Sequence, residues 1–273
     1  MFPPSLPVVP GRVLVVGQLA RELVLHVDEM PAPGTTADVR ERREGLGGQG
    51  ADQAGALARL GAAVALVAVV GGDDTGDRLL DRATRDGIDV SGVIRRDECP
   101  TALVVAARDG AGQWRHLRDV PPACRLTADD VADTAGMFTG AAAVLVQVEQ
   151  PPPAALAAAR LARAAGALVV LDGVPAAEDR AELLALADVI RADGPEAGVS
   201  PDDPGAVRSA AAKMLAEGPA LVVLGLPGGT LFVWDGGDLL LPAPRPAEAL
   251  TAALTLALVR GDDPATAARY ASR

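Results

Sequence analysis

The chain has 273 residues, which is enough for one large α/β domain with a substantial interior. Hydrophobic residues make up 49% of it but aromatic residues only 2%, so Ala, Val and Leu must fill the core. The formal charge of -11 argues against a nucleic-acid partner, because phosphate binding needs a basic surface.

Nothing in the sequence indicates export, membrane insertion or a metal centre. The opening MFPPSLPVVPGR lacks a basic segment followed by an apolar one, and no apolar run reaches membrane-spanning length. The cysteines, Cys99 and Cys124, are too few for a disulfide framework or a metal knuckle, and His26 and His116 are too few and too scattered for a zinc site. We therefore expect a cytoplasmic protein that binds no membrane.

Short apolar strands alternate with Ala- and Leu-rich helical stretches along the chain. The predicted strands are 12–17, 63–71, 142–148, 167–173, 188–193 and 219–225. The predicted helices are 51–60, 73–88, 153–166, 181–187, 204–218 and 249–258. Continuous apolar strands separated by helices predict a mostly parallel sheet covered on both faces, which is a three-layer α/β/α sandwich.

Three segments break this alternation. Residues from about 23–44 and 101–120 read as extended chain without helices of their own, and the second turns back at Asp109-Gly110. We predict that both form a small β-rich lid inserted into a single domain spanning 1–273. A further hairpin should turn at Asp235 to Gly237, before the last helices.

The stretch EGLGGQGADQAGALARLG contains glycines at the spacing G-x-G-x-x-G, which suggests dinucleotide binding. That function needs a hydrophobic strand running into the glycines, and TTADVRERRE, which precedes them, is polar. A dinucleotide oxidoreductase is therefore a distant alternative. Paired glycines let a ligand approach the backbone, and the helix start near Ala51 favours polar or anionic oxygens. The simpler alternative is a glycine-rich turn that only starts a helix.

Several landmarks occur in a telling order: RVLVVGQLARELVLHVDEMPAPG, GGQGADQAGALARLG, VLVQVEQPPPAALAAARLARAAGALVVLDGVPA and ADVIRADGPEA. Together they resemble the ribokinase-like, or PfkB, family of carbohydrate kinases over nearly the whole chain. The resemblance implies a ribokinase-like fold and ATP-dependent phosphorylation of a sugar or nucleoside hydroxyl with Mg²⁺. It also implies a homodimer, since lids of this kind often pair between subunits.

By this resemblance the glycine loop faces a sugar rather than a dinucleotide. The implied substrate-binding residues are Glu22, Gly47, Gly48, Gln49, Asp52 and Glu149. Carboxylates suit vicinal diols because each oxygen accepts one hydroxyl hydrogen. A solvated carboxylate at Glu22 and a helix N-terminal charge at Asp52 are the alternatives without the family context. The family usually has Asn, Asp, Lys and Asn at positions 20, 22, 49 and 52, so a ribose-like preference does not carry over.

On the donor side the resemblance assigns Asp193, Glu196, Gly225 and Gly228 to ATP binding. Asp193 and Glu196 fall on the family's N-x-x-E pattern, in which Glu196 would help organise Mg²⁺. The same spacing also suits a capping box at a helix start. Gly225 and Gly228 would admit the adenosine moiety, although a plain hairpin turn uses the same glycines.

The family's catalytic motif, G-A-G-D, is replaced here by Arg245, Pro246, Ala247 and Glu248. Glu248 is the implied catalytic base, while Pro246 has no amide hydrogen for an anion hole. Three explanations compete. Glu248 acts as a displaced base in a specialised kinase; the chain is a sugar- or nucleoside-binding pseudokinase; or a loop and a C-terminal tail are missing from the sequence, which stops inside what resembles the family's penultimate helix.

Overall fold

The computed structural model describes residues 11–198, 204–242 and 244–273. The opening segment, on which the expectation of no signal peptide rests, lies almost wholly outside these residues. In the described part the strands are β1 (Arg12–Val16), β2 (Ala20–Val27), β3 (Val39–Gly47), β4 (Val64–Gly71), β5 (Ile88–Arg96), β6 (Leu103–Arg108), β7 (Trp114–Asp119), β8 (Ala141–Gln147), β9 (Leu168–Asp172), β10 (Val189–Asp193), β11 (Leu221–Leu226), β12 (Gly229–Trp234) and β13 (Gly237–Leu241). The helices are α1 (Gln49–Arg59), α2 (Asp74–Arg85), α3 (Ala128–Asp133), α4 (Pro152–Ala164), α5 (Ala177–Leu186), α6 (Pro204–Ala216), α7 (Ala247–Val259) and α8 (Pro264–Ala271).

The central sheet has the strand order β13-β12-β11-β10-β9-β8-β1-β4-β5. Its strands pair in parallel from β11 to β5, and β12 and β13 extend the sheet as an antiparallel hairpin. Residues of α3 to α6 pack on one face, and residues of α1, α2, α7 and α8 pack on the other. The predicted three-layer sandwich is confirmed, and its parallel strands all end at one edge.

Helix α7 is buried around its whole circumference from residue 250 to residue 257. A helix without a polar stripe fits only between other elements, and α7 packs against α1 and α8. The hydroxyls of Thr251 and Thr255 donate to the carbonyls of Ala247 and Thr251, at 2.9 and 2.8 Å, so the helix itself satisfies its polar groups. Helix α7 thus packs against α1 with both of these hydroxyls hydrogen-bonded.

The lid is a separate four-stranded sheet in the order β3-β2-β6-β7. Strands β2 and β3 form one antiparallel pair, β6 and β7 form another, and β2 and β6 join them in parallel. The predicted small β-rich lid is therefore present. Strand β3 is mostly exposed, which explains why its sequence, VRERREGLG, is so strongly charged.

Three features were not predicted from the sequence. Strand β5 forms one edge of the central sheet, and α3 is a short helix opened by a capping box at Thr127. Cys99 and Cys124, which are too few for a framework, nevertheless pair as one disulfide, because the turn at 122–124 lies against the segment after β5. Among the described helices, none combines the length and apolar composition needed to cross a bilayer.

Candidate active site

The paired glycines bring the start of α1 into direct contact with the chain that leaves β1. Gly48 has a φ of 87°, and a Cβ there would lie 2.9 Å from the carbonyl oxygen of Gln18. A Cβ on Gly50 would lie 2.8 Å from both the nitrogen and the oxygen of Gln18, and one on Gly47 would overlap the Glu22 side chain. Ala51 N–H donates to the Gln18 carbonyl at 3.1 Å. These glycines are therefore required by packing, whatever ligand they also admit.

Three carboxylates from distant parts of the sequence interact electrostatically in this region. Burial, reinforced by the charges of Glu22 and Glu248, raises the pKa of Asp52 to about 7. Burial also raises the pKa of Glu22, with His116 opposing and Glu248 reinforcing the effect. Strand β2, helix α1 and helix α7 thus place Glu22, Asp52 and Glu248 close enough for their charges to interact. Gln49 lies one turn away at the start of α1, partly buried.

A buried polar chain connects α1 with the ends of β9 and β10. Gln53 Nε2 donates to Asp172, whose other oxygen accepts from Arg191 Nη1 at 3.2 Å, and Arg191 Nη2 donates to Asp193. Gln53, Asp172 and Arg191 are 0%, 2% and 5% exposed. None of these three was predicted as a site residue. The available signals were a charged residue inside the apolar strand VIRAD and an Asp at the end of LVVLD.

The pKa values within this buried network of Gln53, Asp172 and Arg191 depend on burial and on the neighbouring charges. Burial raises the pKa of Asp172 to about 6 even though Arg191 pulls it down. Burial alone would lower the pKa of Arg191, but the Asp172 and Asp193 carboxylates outweigh burial and raise it. Among the described residues, two atoms beside the site have no hydrogen-bond partner, namely Gln53 Oε1 and Gln147 Nε2. Gln147 Oε1 accepts the Gln18 N–H at 2.8 Å, so this side chain closes the space after β1.

A cavity of about 390 Å³, which we call the lid cavity, lies between the lid and the carboxyl ends of β1 and β8. Its lining includes Gln18, Arg118 and Glu149. Glu149 is exposed and forms an ion pair with Arg118 of β7 at 2.6 Å, so this predicted sugar-binding carboxylate also ties the lid to the central sheet. Residues 47–52 do not line the lid cavity themselves; they contact it through Gln18.

A second cavity of about 420 Å³, which we call the β11 cavity, lies at the ends of β10 and β11. Its lining residues are Arg191, Asp193, Pro195, Gly225, Leu226, Pro227, Gly229, Thr230, Arg245, Ala247 and Leu250. Asp193 and Gly225, which were predicted to bind ATP, both line this cavity, and the lining glycine of the turn is Gly229 rather than Gly228. A Cβ on Gly225 would lie 2.5 Å from the Asp193 carboxylate, so this glycine makes room for that side chain.

Glu196 is exposed and its carboxylate accepts the Asp193 N–H at 3.1 Å. That contact is half of a capping box, and the Asp193 side chain is occupied by Arg191 rather than completing the motif. The exposed Glu196 carboxylate suits Mg²⁺, because this ion binds one or two protein carboxylates and keeps water and phosphate as its other ligands. No group of three or more potential ligands that could enclose a metal occurs among the described residues.

The β11 cavity ends at the first turn of α7. Pro246 is the residue that precedes the helix, and no side chain caps it. The first N–H groups of a helix have no carbonyl partner inside the helix, so those of Ala247, Glu248 and Ala249 remain donors. Pro246 therefore removes one donor from this helix start and leaves three. Arg245, which immediately precedes Pro246, lines the cavity and makes no ion pair within the described ranges.

The central parallel sheet, the separate lid and the cavities along the strand ends form an α/β scaffold whose site lies at the carboxyl edge of the sheet. Residues 11–273 match the protein family described as "pfkB family carbohydrate kinase". The chain belongs to this family, as the resemblance implied.

Individual relatives agree with this assignment. A bifunctional ribokinase/ribose-5-phosphate isomerase A of Fructilactobacillus sanfranciscensis is 28% identical over 243 residues, which are 87% of this chain and 45% of that protein. A ribokinase of Staphylococcus aureus (strain COL) is 30% identical over 181 residues, which are 66% of this chain and 60% of that protein. The match thus spans about half of these curated relatives. The crystal structure of a ribokinase from Thermotoga maritima superimposes with a TM-score of 0.80 at 26% identity, covering 96% of this chain and 90% of that one.

Proposed function

We propose that the protein transfers a phosphoryl group from ATP to a hydroxyl of a sugar or nucleoside. The observation that carries this proposal is the electrostatic interaction of Glu22, Asp52 and Glu248. The start of α1 contacts Gln18, which lines the lid cavity, and Glu248 follows Ala247, which lines the β11 cavity. The lid cavity would receive the acceptor, and the β11 cavity would receive the donor. Family membership supports ATP as the donor.

In this proposal Glu248 is the catalytic base. It removes the proton of the acceptor hydroxyl as that oxygen forms a bond to the γ-phosphorus, and the bond between the γ-phosphorus and the ADP oxygen breaks. Glu22 and Asp52 accept hydrogen bonds from neighbouring hydroxyls and hold the acceptor oxygen toward the donor. An Asp52 with a pKa of about 7 is about half protonated at neutral pH, so it can also donate to a substrate oxygen.

Negative charge that develops on the transferred phosphoryl group needs stabilisation. The three free N–H groups of the first turn of α7 supply part of it, and the Arg245 side chain supplies a full positive charge from the same end of the helix. Arg245 would thereby compensate for the amide that Pro246 lacks. Glu196 would hold Mg²⁺, which would supply further positive charge at this site.

The rival function is sugar or nucleoside binding without turnover. Two observations favour it: Pro246 offers no amide, and the Asp193 carboxylate is already engaged by Arg191. An assay of ADP release over pentoses, hexoses and nucleosides separates the two functions. Turnover that Glu248→Gln lowers by roughly 10²- to 10⁴-fold supports the kinase. Ligand-dependent thermal stabilisation with no ADP release from the wild-type chain supports the binding protein.

A homodimer formed through the lid accompanies this proposal. Side chains alternate between the two faces of a strand, so Leu117 lies opposite to Arg118, which contacts Glu149 across the cleft. Leu23, Val105 and Leu117 align across the outer face, and Leu117 is 72% exposed. Light scattering of Leu117→Lys tests this: a monomeric variant from a dimeric wild type supports the interface, and an unchanged mass refutes it.

A cytoplasmic location remains part of the proposal, although disulfides such as Cys99–Cys124 are rare there.

A further inference from the structure

The lid gathers ring-bearing side chains that are scarce in this chain. The sequence contains only three Phe, two Trp, one Tyr and two His. Both histidines nevertheless lie beside Trp114: the ring centres are 6.2 Å apart for His26, which is edge-on, and 6.0 Å apart for His116, which is nearly parallel at 11°. The Arg108 guanidinium carbon lies 5.5 Å from the centre of the Trp114 ring. We call these four residues the ring cluster.

The ring cluster lies on the face of the lid that is turned toward the cleft. The pairing of β2, β6 and β7 aligns His26, Arg108 and Trp114 in one row across the sheet. His116 and Arg118 follow Trp114 on the same face of β7, because side chains two residues apart share a face. Arg118 reaches Glu149, and His116 acts electrostatically on Glu22. The cluster is therefore continuous with the proposed acceptor site.

The rings of this cluster are not part of a hydrophobic core. Every residue of β7 is exposed, and Trp114 itself is 47% exposed. The core clusters of the described residues consist of side chains on the two faces of the central sheet and contain neither Trp114 nor the two histidines. The exposed Trp114 ring therefore faces the cleft, and contacts with His26, His116 and Arg108 fix its orientation.

We propose that the ring cluster stacks against a planar heteroaromatic base of the acceptor, so that the acceptor is a nucleoside rather than a free sugar. This inference rests on the proposed function and names its substrate class. A strand rises about 3.3 Å per residue, so Trp114 lies about 7 Å beyond His116 toward the lid tip. A sugar held beside Glu22 and His116 then directs its base outward along β7 to Trp114. A free pentose is too short to occupy both positions.

Isothermal titration of the full-length chain without ATP tests the inference directly. The probes are adenosine, uridine, free ribose and the disaccharide maltose. We expect both nucleosides to bind more tightly than ribose, because base–aromatic stacking is strong and tolerant of base identity. Trp114→Ala should weaken nucleoside binding by roughly 5- to 150-fold, and Trp114→Phe should retain most of it. Trp234→Phe, at the only other tryptophan, is the matched control and should leave nucleoside binding unchanged.

Thermal unfolding of each unliganded variant verifies that the lid change leaves the fold intact; if Trp114→Ala unfolds, Trp114→Phe and His116→Gln carry the comparison. Equal affinity for ribose and nucleosides, or undiminished nucleoside affinity in the folded variants, overturns the inference. Maltose binding that is as tight as nucleoside binding and equally weakened by Trp114→Ala also overturns the inference, because the rings would then contact a second sugar. Turnover of free pentoses without nucleoside binding refutes this inference and keeps the kinase. Nucleoside binding without any turnover supports this inference and refutes the proposed kinase activity.

Discussion

Replacing Asp52 by asparagine should stabilise the protein, and the gain should grow with pH. In the folded chain the pKa of Asp52 is raised from 3.8 to about 7, first by burial and then by the charges of Glu22 and Glu248. The folded state therefore resists ionisation of a group that ionises readily in the unfolded chain. This cost is absent below pH 3.8, accumulates between about pH 4 and pH 7, and is complete above pH 7.

The size of the effect follows from the two pKa values. Each pH unit between them corresponds to 1.36 kcal/mol, so the full cost is about 4 kcal/mol. Asp52 is partly exposed, which makes this an upper value. The asparagine side chain carries no charge and escapes the cost. At roughly 2 °C per kcal/mol for a chain of this size, the variant should unfold up to about 8 °C higher than wild type at pH 8.

The measurement is the difference in unfolding temperature between wild type and Asp52→Asn at pH 4.5 and at pH 8. We expect a difference of about 2 °C at the lower pH, where the cost is about 1 kcal/mol, and the full difference at the higher one. Asp81→Asn, at an exposed position of α2 without an ion pair among the described residues, is the matched control and should show no such growth. A difference for Asp52→Asn that is equal at both pH values would refute the assigned carboxylate cluster.

Three further variants test the packing, the buried network and the donor site. Gly48→Ala should cost more than Gly61→Ala in urea denaturation, by about 1–3 kcal/mol: both positions have φ above 80°, but only at Gly48 does a Cβ meet neighbouring backbone. Arg191→Leu should destabilise the chain by about 3–5 kcal/mol at pH 8 and by less at pH 5, because Asp172, whose pKa is about 6 even beside Arg191, can take up a proton there once it is stranded. An equal loss at both pH values contradicts this. Arg245→Gln should lower kcat by roughly 10²- to 10³-fold with unchanged thermal stability, and an unaltered kcat excludes Arg245 from charge stabilisation.

The alternation of strands and helices was enough to predict the layered fold, because parallel strands buried on both faces need continuous apolar runs such as ALVVLDG. It was not enough for β5, whose sequence IDVSGVIRR lies at the sheet edge and is only partly buried. The lid was predictable from its missing helices. Its register, which decides that His26 and Trp114 share a face, was not.

The candidate site divides in a similar way. The family resemblance supplied residues that lie on recognisable motifs, such as Asp193 and Gly225. It gave no access to Gln53, Asp172 and Arg191, because a buried ion pair depends on which strands are neighbours and not on local spacing. The glycine pair shows the converse: its place before a helix followed from the sequence, while its packing against Gln18 emerged only from the contact between α1 and the end of β1.

The cleft presents an electrostatic conflict that yields a final prediction. Glu22, Asp52 and Glu248 form a group of carboxylates close to the cavity in which ATP would place its own negative charges. Without Mg²⁺ these charges repel the donor, and Arg245 offsets only part of the repulsion. Glu248→Gln should therefore bind metal-free ATP about 3-fold more tightly than wild type at low salt, although it loses turnover.

This outcome separates a base beside the phosphates from a residue that only supports the helix. Removing a nearby negative charge improves ATP affinity, and the improvement should shrink in about 0.5 M NaCl, where the screening length falls to a few ångströms. Glu178→Gln, at an exposed position of α5, changes the net charge by the same amount. Glu178 lines neither cavity and is not among the charges that act on Asp52, so this variant should leave ATP affinity unchanged. If Glu248→Gln and Glu178→Gln behave alike, Glu248 does not face the donor, and the deprotonating group must be sought elsewhere in the cleft.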